Sequence, residues 1–390
     1  MRTDHPALSW IASRDDRSMV CLPGTRRARP AARTRDMAHH AAAKVGVTRV
    51  ADVTRLDTIG IPTFQAIRPL SRTVAVSQGK GITSELARLS AVLESVETWH
   101  VEQPMSPAVT AAPREVGPRL GYDVTALAPS EPSLLHDRLP LDWLPARSLV
   151  DGAYTFVPMD VVRLTLEEKT GWNPPAFFAS TNGLASGNTP VEAVLHGLYE
   201  VIERDAVTAA VTGGGEPGVR VDPRTLGTAI IDDLCDLIER AGVTLEVRFV
   251  SSPTDLPCFL AWLACDAYPA AMFGFGCHLS SEIALSRAIT EAAQTRLAYI
   301  AGARDDLQDE IDDGVGRPPA RSSGQAADIG ALMPAPVDHA SLLDDLGCVV
   351  KRATAAFGQP PLVVDLTREE IGVPVVKVVA PGARISPEVL

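Results

Sequence analysis

Three apolar runs with strand-like alternation, VGVTRVADVT (45–54), IPTFQAIRP (61–69) and SRTVAVSQGKG (71–81), predict short strands around a turn at Asp57–Gly60. TFVPMDVVRLTL (155–166) predicts a further strand. LGTAIIDDLCDLIERAG (226–242) has the period of an amphipathic helix and is stopped by Gly242. After it, VTLEVRFVSS (243–252), CFLAWLACD (258–266) and AAMFGFGCH (270–278) read as strands. SLLDDLG (341–347) makes a short helix, and PLVVDLTREE (361–370) and VPVVKVVAPG (373–382) give two more strands. Lys377, flanked by valines, reads as an edge or solvent-facing strand residue. Two stretches lack a period: LPLDWLPARSLVDG (139–152), which reads as a connector over the surface, and the Gly/Pro-rich excursion 211–223.

A second pattern is superimposed on the first. ARLSAVLESVE (87–97), AVLHGLYEVIE (193–203) and ALSRAITEAAQ (284–294) align without gaps. Each begins with Ala (Ala87, Ala193, Ala284) and has a small residue four later (Ala91, Gly197, Ala288). Glu94, Glu200 and Glu291 follow in register, and three beyond them come Glu97, Glu203 and Gln294. Glycine-bearing loops precede all three: QGKG (78–81), NGLASGN (182–188) and GFGCH (274–278). At the middle helix Thr189 is the N-cap, Pro190 suits the first helical position, and Glu192 stands where a capping box needs it. The small residues permit close packing, and the i,i+3 acids share one face. Paired carboxylates on one face lie either in open solvent or against a bound cation.

Composition narrows the partners. With 390 residues the chain has enough length for two lobes or one large α/β unit, and its formal charge of −12 argues against general nucleic-acid binding. Six scattered cysteines without CxxC spacing fit reduced thiols in a cytoplasmic protein. No window is long and apolar enough for a membrane span, and the N-terminus lacks a signal-peptide core. Residues 1–43, with TRRARPAARTR (25–35), His39 and His40, read as a basic, disordered extension. An upstream-annotated start with Met37 as the true beginning, or a basic arm on a partner, are the other readings. The acidic run 303–313 reads as a solvated loop able to lend Arg304, Asp305 and Asp306 to a site, and 314–339 as a mobile lid.

The chemistry-bearing set is five helix carboxylates, Gln294, Lys80, Arg204 and Arg287, beside three glycine loops that open helices. Helix N-termini favour phosphate, helix-face carboxylates favour Mg2+, and basic residues counter charge on transferred phosphoryl oxygens. Ser90 lies one turn before Glu94 on the same face, and His196 has the register of Ser90 and Arg287. Lys80 sits between two glycines but lacks phosphate-loop spacing. The result is a nucleotide-triphosphate site with carboxylate-held magnesium; nothing supports a serine or zinc hydrolase.

These residues resemble the YcaO superfamily of ATP-dependent enzymes that modify peptide backbone amides. The resemblance rests on DTIGIPTFQAIRP (57–69), SQGKG (77–81), Ser90–Glu94–Glu97, NGLASGNTPVEA (182–193), Glu200–Glu203–Arg204 and ALSRAITEAAQTRL…RDD (284–306). It covers roughly 45–310 with a compatible terminal strand and implies a catalytic domain over 44–390. The implied fold is α/β of YcaO type, with three quasi-repeated loop–helix units around a nucleotide cleft. The implied cofactors are ATP and Mg2+, ATP phosphorylating the amide oxygen so that it leaves as phosphate. By position, Glu94, Glu97, Glu200 and Glu203 would hold metal; Lys80, Ser90, Asn188, Glu192 and Gln294 would contact nucleotide; Lys80, Arg204 and Arg287 would neutralise phosphate.

Two features depart from the azoline-forming members: the end VVAPGARISPEVL holds only Pro381 and Pro387, and no peptide-clamp domain is fused. This resembles the branch paired with a TfuA-like partner, whose expected product is a thioamide on a peptide or protein substrate. An azoline at Cys, Ser or Thr and a catalytically silent peptide-binding scaffold are the competing readings. Oligomeric state, homodimer included, is not set by the sequence.

Overall fold

The structure is a computed structural model that describes residues 8–130, 133–164, 176–214, 216–266, 268–303, 325–333 and 337–386. A hairpin of β1 (Val20–Leu22) and β2 (Thr25–Arg27) turns at Gly24, whose φ of 69° favours glycine, and leads to α1 (Ala31–Lys44). β3 (Arg49–Asp52), β4 (Thr63–Ile67) and β5 (Val76–Lys80) form an antiparallel meander, followed by α2 (Ser84–Glu102). β6 (Val109–Ala111), the one-turn α3 (Pro113–Val116), β7 (Leu141–Ser148), β8 (Tyr154–Pro158) and β9 (Leu184–Ser186) precede α4 (Pro190–Thr212). Next come β10 (Val219–Asp222), α5 (Ala229–Arg240), β11 (Thr244–Val250), β12 (Cys258–Cys265), β13 (Tyr268–Cys277) and α6 (Ser281–Ala301). The chain closes with β14 (Ala327–Asp328), α7 (Ile329–Leu332), α8 (Leu342–Phe357), β15 (Leu362–Asp365) and β16 (Val375–Val379).

Three sheets carry the architecture: β3-β4-β5, β6-β7-β15-β16-β9 with β8 on β7, and β13-β12-β11-β10-β14. Both faces of the last are covered, which is why β12 reads as one unbroken apolar run. Leu260 and Trp262 face a core built with α4 and α8, while Phe259, Ala261 and Leu263 face α5 and α6. The helices settle on their strands through glycine. A Cβ on Gly79 would lie 2.0 Å from the Ala91 nitrogen of α2, and one on Gly276 would lie 1.9 Å from the Ala284 oxygen of α6. In α4, Gly197 meets the backbone of Gly183 in the same close manner. The small residues shared by the three helices are thus contact points on strands.

Several expectations change. Residues 8–43 are not a disordered extension: hairpin and helix pack on the body, Ala38 and Ala41 being buried against α2 and the C-terminal strands. Stretch 139–152 is no surface connector but contains β7, with Trp143 fully buried between β6 and β8. The short helix expected at 341–347 continues to Phe357, where Gly358 takes a left-handed φ. Lys377 is neither edge nor solvent-facing: it sits on β16 between β15 and β9, is 3% exposed, and donates to the Ser180 carbonyl. Within 314–339 the described part contains β14 paired in parallel with β10 and the buried Ile329; the remainder, like Arg304, Asp305 and Asp306, lies outside the described residues.

Candidate functional site

The terminal strands β5, β9 and β13 of the three sheets border one cavity of about 800 Å3. α2, α4 and α6 supply its polar wall. Ser90, Glu94 and Glu97 come from α2, His196, Glu200, Glu203 and Arg204 from α4, and Arg287, Glu291 and Gln294 from α6. Lys80 reaches in from the end of β5. Helical periodicity explains the convergence, because residues three and four apart share a face and each helix presents that face inward.

The charges are closely interlocked. Lys80 Nζ lies 2.5 Å from a Glu291 oxygen, and Arg204 is 3.5 Å from the other oxygen of Glu291 and 3.7 Å from Glu203. Arg204 also lies over the Phe275 ring at 5.0 Å. Arg287 Nη1 is 2.9 Å from His196 Nε2; burial first, then Arg287, keeps that imidazole neutral and well below its ordinary value, so Arg287 donates to it. Glu97 accepts from the Ser186 N–H at 2.7 Å and the Ser186 hydroxyl at 2.6 Å, and Glu94 accepts from the Gln78 N–H at 3.4 Å.

Desolvation dominates the acid groups. Burial, aided by Glu94 and Glu200 and opposed by Ser186, pushes Glu97 up to about 8. Burial pushes Glu200 up to about 7 despite Arg204. Glu203 is raised for the same reason, while at Glu291 the cations Lys80 and Arg204 outweigh burial and hold the carboxyl low. Glu97, Glu200 and Glu203 are therefore biased toward the protonated form, and a divalent cation, by favouring their ionised form, would take the place of those protons. Among the described residues no three acidic, histidine or cysteine side chains close into a ready-made ion cage. The carboxylate pairs Glu94/Glu97 of α2 and Glu200/Glu203 of α4 would suit more than one Mg2+, each ion taking one or two carboxylates and completing its octahedron with phosphate oxygens and water. Leu260, Met272, Phe273, Phe275 and Tyr299 add an apolar and aromatic part to the lining.

Asn188 and Glu192 are not brought into the cavity. Thr189 does cap α4, accepting from the Glu192 N–H at 3.1 Å. The Glu192 carboxylate turns instead to the Ala28 N–H at 2.7 Å, to Arg27 at 3.3 Å and to Asn188. Asn188 in turn accepts from Thr34 at 2.9 Å. Both residues fasten the N-terminal arm to the start of α4. The arm also brings in Arg27, which lines the cavity and is absent from the residues expected there. The basic run 25–35 was the available signal, and nothing in its spacing singles out one arginine.

The family model for YcaO cyclodehydratases, described as ATP- and Mg2+-binding, matches residues 78–384. This chain belongs to the YcaO family. The relatives of this YcaO protein include an uncharacterized protein of Mycobacterium tuberculosis, 40% identical over 351 residues, covering 88% of this chain and 79% of the relative. Another is an uncharacterized protein from the tfuA 3′ region of Rhizobium leguminosarum bv. trifolii, 36% identical over 361 residues, covering 87% of this chain and 84% of that one. Among solved structures, YcaO from Methanopyrus kandleri bound with AMPPCP and Mg2+ superposes with a TM-score of 0.71 at 24% identity, over 94% of each chain. A heterocyclase in complex with substrate and cofactor gives 0.76 at 21% identity, over 95% of this chain but 55% of its own. The YcaO protein thus spans about half of that heterocyclase. Its fold is the α/β fold of the family, whose cofactors are ATP and Mg2+.

Proposed function

We propose that this protein uses ATP and Mg2+ to activate a peptide backbone amide by O-phosphorylation and installs a thioamide there, with sulfur and substrate recognition supplied by a partner protein. The observation that carries the reading is the wall of carboxylates, Glu203 buried and the others half-buried, interleaved with Lys80, Arg204 and Arg287. In it, Glu94, Glu97, Glu200 and Glu203 hold Mg2+, and Ser90 and Gln294 contact the nucleotide or the metal's water shell. The bound nucleotide supplies the phosphoryl group that converts a poor leaving oxygen into phosphate.

The chain's own groups do the rest. Arg204 and Arg287 place fixed positive charge where oxygens develop charge, and neither needs to reorganise as the reaction proceeds. His196 holds Arg287 in place as a neutral acceptor. Lys80, at the end of β5 and paired with Glu291, would be a further cation for the phosphates. Support for sulfur over ring closure comes from the relative in the tfuA 3′ region.

The test is in vitro turnover with a candidate peptide, ATP, Mg2+, sulfide and a TfuA-like protein, followed by mass spectrometry. Replacement of oxygen by sulfur in the peptide, dependent on ATP, is the expected result. Loss of water instead would establish azoline formation, and an unchanged peptide with no ATP consumed would point to the silent scaffold.

A further inference from the structure

Each of the three strands bordering the cavity ends its sheet, and an end strand leaves every second residue with backbone N–H and C=O pointing away from its neighbour. On β5 and β9 this edge is already engaged at the cavity: the Gln78 N–H goes to Glu94 and the Ser186 N–H to Glu97. β13 differs. The His278 N–H donates to the Pro257 carbonyl at 3.3 Å, in register with the pairs Cys258–Cys277, Phe259–Gly276, Leu260–Phe275, Ala261–Gly274 and Trp262–Phe273. Antiparallel alternation then directs the backbone groups of Gly276 and Gly274 toward β12, and those of Phe273 and Phe275 outward. Phe273 and Phe275 line the cavity, and among the described residues no strand pairs with the outer edge of β13. A row of main-chain donors and acceptors beside a cavity calls for partners.

We propose that the outer edge of β13 takes up the substrate as an added strand: an extended peptide held by its main chain on Phe273 and Phe275. This rests on the peptide-amide reading above and adds how the peptide is bound. Strand addition is blind to side chains at the bonded positions and presents the backbone itself, which is what an enzyme acting on a backbone amide must grip. The two phenyl rings on the cavity face receive the peptide's alternate side chains. Arg204, lying over Phe275, sets the direction in which the target amide approaches the charged wall. The glycines at 274 and 276 cannot serve instead, because their backbone groups point to β12.

The probe is acetyl-(Thr-Val)3-amide, with a set of copies N-methylated at one residue each, titrated into the full chain with Mg2+ and a non-hydrolysable ATP analogue. Methylation removes one donor without altering the protein. Methylation at alternate residues should weaken binding about tenfold, and at the intervening residues hardly at all, as loss of one main-chain hydrogen bond requires. Phe273→Pro, which deletes the outward N–H, should weaken the unmethylated peptide well beyond Phe273→Ala, which deletes only the ring. Uniform tolerance, uniform loss, no binding, or equal effects of the two variants would overturn the inference. Calorimetry of the nucleotide analogue alone separates the two ideas. Intact analogue binding without the alternation overturns strand addition only, whereas absent analogue binding by the wild type overturns the nucleotide reading and this inference with it.

Discussion

Glu97 carries a large desolvation cost in the cavity, and its proton affinity gives a direct handle on the site. With its ordinary value near 4.5 raised to about 8, and Glu200 raised to about 7, both hold protons in the folded state where the unfolded chain has lost them. The unfolded state binds fewer protons between these limits, so stability of the ligand-free protein falls as pH rises from about 4.5 to 8 and then levels. Thermal melts across that range should show the decline, and Glu97→Gln should make it shallower and end it near pH 7, where Glu200 has lost its proton. Mg2+ and ATP should expel the Glu97 proton near neutral pH, visible as buffer-dependent heats in calorimetry and lost in Glu97→Gln. Glu200→Gln or Glu203→Gln should remove Mg2+-dependent ATP binding while leaving the melting temperature close to the wild type; retained binding in either would contradict the metal assignment. The cavity residues were legible because a helical period tells which side chains share a face. Asn188 and Glu192 were not placed correctly, since their partners, Ala28 and Thr34, lie about 160 residues away in a stretch with no period.

Among the elements, the decisive contacts are those between glycine and helix backbone. Gly276→Ala would set a methyl 1.9 Å from the Ala284 oxygen, so α6 must lift from β13. The expected cost is about 1–3 kcal/mol in urea unfolding, as for other overpacked sites. Gly274→Ala, at 2.2 Å from the Ala292 nitrogen, should behave alike. Most strands of the α/β fold announced themselves through alternation or apolar runs, and the 226–242 helix through its stripe. β7 did not, because Pro140 and Pro145 read as loop residues; Pro145 is accommodated opposite Phe156 in the pairing with β8. α8 extends well past its apparent end because Lys351 and Arg352 sit on its outer side while Val349, Val350 and Ala353 continue the buried stripe.

At the scale of the whole molecule, the N-terminal arm is part of the body. Asp16, wholly buried, accepts from the Ser13 N–H and hydroxyl at 2.7 Å each and from the Thr189 hydroxyl at the start of α4. Asp16→Ala should lower stability by about 1.5–3 kcal/mol, read by chemical denaturation, since hydrogen bonds to a carboxylate are lost and Thr189 keeps no such partner. The six-stranded sheet has a different consequence. Its order places β16, near the end of the chain, beside β9, whose Ser186 steadies Glu97. During synthesis, α2, α4 and α6 all emerge before β15 and β16, which complete the sheet on which α4 packs. A nascent chain arrested ahead of residue 362 would own every charged residue of the cavity yet lack the floor that holds β9, and ribosome-bound intermediates of that length should fail to retain nucleotide.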